Sequence, residues 1–229
     1  MQNTFTMYIP IVILVFSWVM IAGVVGEERA KRKHLDKCDG KATTQGHTSF
    51  LPGTTYTRWG RWSCGTKEAK LVYSGITGGS HYSHGGGSEY LCLPKNPQWG
   101  HYKNGVQLGG FIYGTEYEVG SNSFLHKSYN DHEVPCAVCE VTGRTRRLMI
   151  PGKKNCKKGW TKEYNGYIMS EHYTHSASEF ICVDKDAEKI GSASSLNGKL
   201  LYMVEARCGS LPCPPYVEGR EITCVVCTK

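Results

Sequence analysis

Apolar positions along the chain fall into one long run and many short ones. The long run spans residues 9–26, and residues 1–26 carry no charged side chain. Beyond it, apolar residues come in groups of three to five, separated by Gly-rich and polar turns. The groups at 70–73, 90–93 and 111–113 read as strands, as do those at 167–169, 180–183 and 200–204. Residues 221–227 add a final strand, because Ile222, Thr223, Val225 and Val226 are β-branched. No run after the first keeps the 3.6-residue apolar spacing of a helix. The pattern predicts an all-β fold with little helix.

The short groups are not independent of one another. Tyr73-Ser74-Gly75, His81-Tyr82-Ser83-His84 and Ser88-Glu89-Tyr90-Leu91-Cys92 recur as Tyr164-Asn165-Gly166, His172-Tyr173-Thr174-His175 and Ser178-Glu179-Phe180-Ile181-Cys182. The offset is 91 at Tyr73/Tyr164 and 90 at Cys92/Cys182. It is 92 at Cys64/Cys156, 89 at Tyr113/Tyr202 and Glu116/Glu205, and 88 for Cys136 and Cys139 against Cys224 and Cys227. Offsets that drift so little point to a tandem duplication of one unit. The expected organisation is a signal peptide over 1–26, a polar linker over 27–53, a first repeat over 54–142 and a second over 143–229.

The N-terminal run ends abruptly at Glu27-Glu28-Arg29-Ala30-Lys31-Arg32-Lys33. Val24 and Gly26 suit a signal-peptidase cut after Gly26, which predicts a secreted protein. The alternative is a single-pass membrane anchor at 9–26, but Lys31, Arg32 and Lys33 would then hold the rest of the chain in the cytosol. Eleven cysteines fit that compartment poorly. Zinc is a competing use for Cys136-Ala137-Val138-Cys139 and Cys224-Val225-Val226-Cys227. Their apolar interiors suit strands better than zinc knuckles, which favours disulfides. Cys64, Cys92, Cys136 and Cys139 fall in the first repeat. Cys156, Cys182, Cys208, Cys213, Cys224 and Cys227 fall in the second. Both counts are even, and sequence alone leaves their connectivity open. Cys38 stands apart in the linker, as a candidate for an interchain bridge.

Several of these motifs together resemble a known family. Tyr56-Thr57-Arg58-Trp59-Gly60-Arg61, both His-Tyr-x-His blocks, Leu91-Cys92-Leu93-Pro94 and the tail from Arg207-Cys208 to Pro214-Pro215-Tyr216 resemble the C-terminal non-collagenous region of spongin-type short-chain collagens of invertebrates. The resemblance covers about 54–229. More distantly, Pro135-Cys136-Ala137-Val138-Cys139-Glu140, Ile150-Pro151, Cys156 and Gly159-Trp160 are similar to the junction between the halves of the type IV collagen non-collagenous domain. That domain is a tandem of cysteine-bridged β units that drives chain association. The resemblance implies the pairs Cys64–Cys139, Cys92–Cys136, Cys156–Cys227, Cys182–Cys224 and Cys208–Cys213. No Gly-X-Y run precedes residue 54, so it implies the terminal module without its collagen segment.

Composition adds one chemical feature. Lys and Arg number 27 against 20 acids, a net +7. Arg144, Arg146, Arg147, Lys153, Lys154, Lys157 and Lys158 account for the whole excess, with no acid among residues 144–158. The stretch reads as a solvated strand and turn, or as a binding patch for sulfated glycans of the matrix. His81 with His84, and His172 with His175, are weak candidates for a metal, since imidazoles three apart can share a cation where the backbone turns. A motif present in both repeats also suits a structural corner. Catalysis finds little support: His132-Glu133 lacks the second His of a zinc protease, and no nucleophile elbow or phosphate loop occurs. No cofactor or nucleic acid is implied. The expected function is a non-enzymatic structural module of the extracellular matrix, associating with matrix proteins or with itself. The alternative is a secreted carbohydrate-binding protein of lectin type.

Overall fold

The computed structural model describes residues 51–107, 109–121 and 123–229. The N-terminal apolar run, nearly all of the linker and Cys38 lie outside the described residues. The chain is all-β. Its strands are β1 (Gly53–Trp59), β2 (Ala69–Gly79), β3 (Leu91–Pro94), β4 (Tyr113–Tyr117), β5 (Pro135–Thr142), β6 (Arg147–Pro151), β7 (Thr161–Ser170), β8 (Ile181–Asp184), β9 (Lys199–Met203) and β10 (Thr223–Thr228). One 3-10 turn, Lys127–Tyr129, interrupts them. Among the described residues, no helix is long and apolar enough to cross a membrane.

The strands pair in the same way in each half. In the first, β5 lies between β1 and β2, and β2 also pairs β3 and β4. In the second, β10 lies between β6 and β7, and β7 also pairs β8 and β9. Registers agree as well. Gly75 faces Cys136 as Gly166 faces Cys224, and Gly79 faces Tyr113 as Ser170 faces Tyr202. The two glycines have one cause. A Cβ on Gly75 would stand 1.8 Å from the Leu93 carbonyl oxygen, and one on Gly166 1.7 Å from that of Val183. Each is needed for β3 or β8 to approach its neighbour.

The halves are one body rather than two. β1 meets β8 in parallel at Trp59 and Val183, and β4 runs parallel to β9. With the β7–β9 pairing these contacts close the path β7-β8-β1-β5-β2-β4-β9 into a ring. Both cores draw on both halves: one contains Tyr56, Val141, Tyr164, Ile168 and Val226, the other Tyr90, Tyr117, Val134, Met169 and Leu201. Arg58 of β1 reaches Asp184 of β8, with both Nε and Nη2 2.8 Å from Oδ2. The Asp184 side chain is nearly inaccessible, so removing either partner would strand a buried charge.

Five disulfides close the frame: Cys64–Cys139, Cys92–Cys136, Cys156–Cys227, Cys182–Cys224 and Cys208–Cys213. These are the pairs the family resemblance implies. The number of bridges marks a protein suited to an oxidising, extracellular compartment. Cys136 and Cys139 sit three apart on one strand and so leave opposite faces of it, each toward a different bridge. The bridges differ in leverage. Cys64–Cys139 spans 75 positions and Cys208–Cys213 only 5. In the chain-entropy account the long span is worth roughly 4 kcal/mol and the short one about half of that. Replacing Cys64 and Cys139 together by Ala is expected to lower Tm by about 10 °C. The same exchange at Cys208 and Cys213 should lower it by about half as much. Equal losses in differential scanning calorimetry would remove loop closure as the source of the stabilisation.

Candidate functional site

Each His-Tyr-x-His block forms a tight corner just beyond the long strand of its half. The His84 N–H donates to the His81 carbonyl at 3.0 Å, and that of His175 to the His172 carbonyl at 2.9 Å. The leading imidazole caps its own turn: His81 Nδ1 accepts from the Ser83 N–H at 3.3 Å, and His172 Nδ1 from that of Thr174 at 3.4 Å. A tyrosine from the partner strand completes each corner. Tyr113 lies edge-on to His81 with centroids 5.1 Å apart, and Tyr202 stands 5.1 Å from His172. The motif therefore builds two equivalent cages, His81–His84–Tyr113 and His172–His175–Tyr202.

The cages differ in their surroundings. The first opens on a cleft of about 210 Å³ lined by His81, His84, Phe111, Tyr113 and the glycines Gly85, Gly109 and Gly110. His81 and His84 stack across 4.4 Å with their planes 28° apart. Ring nitrogens direct their lone pairs within the ring plane, so stacked imidazoles do not converge on one ion. Burial, and then the neighbouring His84, push the His81 imidazole below its ordinary pKa. In the second cage, Tyr82 from the first half lies on His175 at 4.6 Å. His175 Nδ1 meets the Glu171 carboxylate at 3.0 Å. Glu171 also accepts from the Leu200 N–H at 2.8 Å and stands 3.9 Å from Lys199.

Lys199 is a residue that the sequence pattern gave no reason to single out. Its side chain is almost wholly buried, and its ammonium lies 4.9 Å above the Tyr90 ring. Burial pulls its pKa down, while Glu171 and Glu179 oppose the shift. A lysine next to apolar Leu200 and Leu201 carries no sequence signal of burial. A second unforeseen group is acidic. Carboxylate oxygens of Glu116, Glu118 and Asp131 lie within 4.8 Å of one another. Such hard oxygen donors suit Ca²⁺ or Mg²⁺. Glu116, however, already accepts from the Leu196 and Asn197 N–H groups at 3.2 Å.

The basic stretch divides. Arg144 turns inward, its Nη1 3.3 Å from Glu163, whose side chain is fully buried. It serves the fold, since without it Glu163 would lose its cation in the interior. Arg146, Arg147, Lys153, Lys154, Lys157 and Lys158 remain exposed. Lys162 joins them on β7, exposed and 3.4 Å from Asn155 Oδ1. Residues 152–160 return across β10, tied to it by Cys156–Cys227, and so bring β6, the connecting loop and the start of β7 into one basic strip.

A search of protein-family models gives no match to this chain.

The acidic group generates a pH dependence. Burial, then Asp131 and Glu116, raise the Glu118 carboxyl from 4.5 to about 7. A carboxyl raised on folding supports the native state below its unfolded value. That support is lost as pH climbs from about 4.5 through 7. Glu118→Gln is therefore expected to melt close to the wild type at pH 4.5 and above it at pH 8. Parallel melting profiles across that range would mean that Glu118 titrates normally.

Proposed function

We propose that this protein is a secreted structural module that acts by self-association in the extracellular matrix. One observation carries the reading. The halves join inside the chain through β8 and β1, yet the equivalent strands β3 and β6 have no partner on their outer edges among the described residues. By register, Trp59 and Val183 of the internal junction correspond to Pro151 and Leu93. Solvent exposure follows the difference. Ile181 of β8 is 3% exposed and its counterpart Leu91 of β3 is 50% exposed. Tyr56 of β1 is 1% exposed and its counterpart Leu148 of β6 is 43% exposed. Unpaired edges flanked by large apolar side chains are templates for a further chain. The resemblance to the terminal modules of short-chain collagens supports the same role. Native mass spectrometry of the oxidised protein at physiological salt is expected to show oligomers at micromolar concentration. A monomer throughout that range would overturn the proposal.

The alternative reading, carbohydrate binding, is favoured by the basic strip alone. Six exposed cations from the original stretch, with Lys162, follow an extended loop and strand rather than lining a pocket. That shape fits a linear polyanion, and in an extracellular compartment the fitting class is a sulfated glycan. Lys153→Glu with Lys157→Glu should elute from immobilised heparin at lower salt, with Tm unchanged. Arg144→Ala should leave elution alone and lower Tm. Elution unaffected by the double charge reversal would reduce the strip to a solvated loop.

A further inference from the structure

Lys199 and Glu171 form the most deeply buried ion pair among the described residues, with both side chains 2% exposed. Lys199 opens β9 and Glu171 directly follows β7, and the two strands pair at Ser170 and Tyr202. The ammonium is 3.9 Å from Glu171 Oε1, beyond hydrogen-bond distance, so it loses water without a direct bond to the carboxylate. Gly79 leaves room for the lysine stem: a Cβ there would stand 3.1 Å from Lys199 Cδ. The Tyr90 ring lies 4.9 Å from the ammonium.

A different group holds each oxygen of the carboxylate. Oε1 accepts from the Leu200 N–H at 2.8 Å, and Oε2 faces His175 Nδ1 at 3.0 Å. A carboxylate can only accept, so Nδ1 carries the proton. Acyl transfer needs this arrangement: a fixed donor on the oxygen that stays and an acid on the oxygen that leaves. Burial favours the neutral, nucleophilic form of the Lys199 amine. The first half lacks both reacting groups. The register that matches Gly79 with Ser170 and Tyr113 with Tyr202 places Ser80 at the position of Glu171 and Gly110 at that of Lys199. Amine and acid are absent together from one half and present together in the other, while the histidine occurs in both.

We propose that Lys199 and Glu171 condense into an intramolecular isopeptide bond, with His175 carrying the proton. The Nζ lone pair attacks Glu171 Cδ and forms the C–N bond. His175 gives its Nδ1 proton to Oε2, which leaves as water when its bond to Cδ breaks, and takes a proton back from the nitrogen. Of the three ammonium protons, two end in the water and one on the amide nitrogen, so no oxidant or co-reactant is consumed. Oε1 remains as the amide oxygen, still accepting from Leu200. In water the separate ions would be favoured; here burial disfavours both charges, and fixed neighbours supply a high effective concentration. The product is a strap between β7 and β9 that a thiol reductant does not open.

Peptide mapping of the secreted, fully oxidised protein tests the bond, by mass spectrometry after reduction, alkylation and trypsin. Glu171 falls in the tryptic peptide 163–185 and an unmodified Lys199 ends the peptide 190–199. Trypsin does not cut after an acylated lysine. The expected product is therefore 163–185 joined to 190–207, lighter by one water than the two together. Lys199→Arg keeps the cation and should give separate peptides only. His175→Ala should lower the joined fraction about tenfold or more, as loss of a positioned acid does. Tyr173→Ala, at a 90% exposed side chain of the same corner, should leave that fraction at the wild-type value. A wild type that yields 190–199 free, with no joined species, overturns the bond. A joined fraction undiminished in His175→Ala overturns the part given to His175.

Discussion

Two short strands, each with two cysteines three positions apart, hold the rest of the molecule in place. β5 lies between β1 and β2, and β10 between β6 and β7. A spacing of three sends the sulfurs to opposite faces, so each strand is tied on both sides at once. On one side Cys139 fixes Cys64, in the segment between β1 and β2; on the other Cys136 fixes Cys92 on β3. Cys227 and Cys224 do the same for Cys156 and Cys182. Strand register, and with it the close passage of β3 over Gly75 and of β8 over Gly166, follows from these ties. The His-Tyr-x-His corners lie directly beyond those passages. Their placement against Tyr113 and Tyr202 is therefore inherited from the bridges rather than set by the corner residues themselves.

A tandem arrangement of equivalent units cannot satisfy every equivalent surface within one chain. Residues 82–90 of the first half dock on the second through backbone bonds to Ser176, Glu179 and Gly198, whereas Tyr173 and Phe180 stay exposed. β1 meets β8, while β6 and β3 have no partner on their outer edges among the described residues. Exposure records the outcome at Tyr173, Phe180, Leu91 and Leu148, all large apolar side chains left in water where their counterparts are buried or partly covered. Isolated exposed apolar residues are ordinary on protein surfaces. Here they fall at the positions whose counterparts carry the internal junction, which separates them from the exposed Val106 or Trp99 of the 95–112 loop.

The sequence made the strand class and the equivalence of the halves readable because both are local. Tyr90-Leu91-Cys92 and Phe180-Ile181-Cys182 look alike and fold alike. Strands with polar sequences were harder to see. β4 was expected at 111–113 and lies at Tyr113–Tyr117, where Thr115 and Glu116 are buried. Pairing with β2 and β9 encloses them, and Glu116 finds backbone donors that no pattern announces. β1 is hidden for a similar reason, since Thr, Arg and a single Tyr give weak alternation, whereas β6 falls within the basic stretch that reads as a solvated strand and turn. The environments of Tyr82 and Tyr173 were beyond reach in principle. Their local sequences nearly match, and one is covered and the other bare because of their order along the chain.

The basic strip and the free edge share β6, so the two proposed ligands are not independent. Arg147 belongs to the strand itself, whereas Lys153, Lys154, Lys157 and Lys158 lie on the loop that crosses back over β10. A chain pairing with the outer edge of β6 would meet Arg147 and leave the loop lysines in solvent. A sulfated polymer held by those lysines therefore need not displace a protein neighbour. It would also offset the repulsion between copies that each carry this concentration of positive charge. Turning Arg144 inward, toward Glu163, keeps one cation of the stretch out of that repulsion and spends it on the interior. Charge on the loop and apolar surface on the edge of β6 are then separate surfaces.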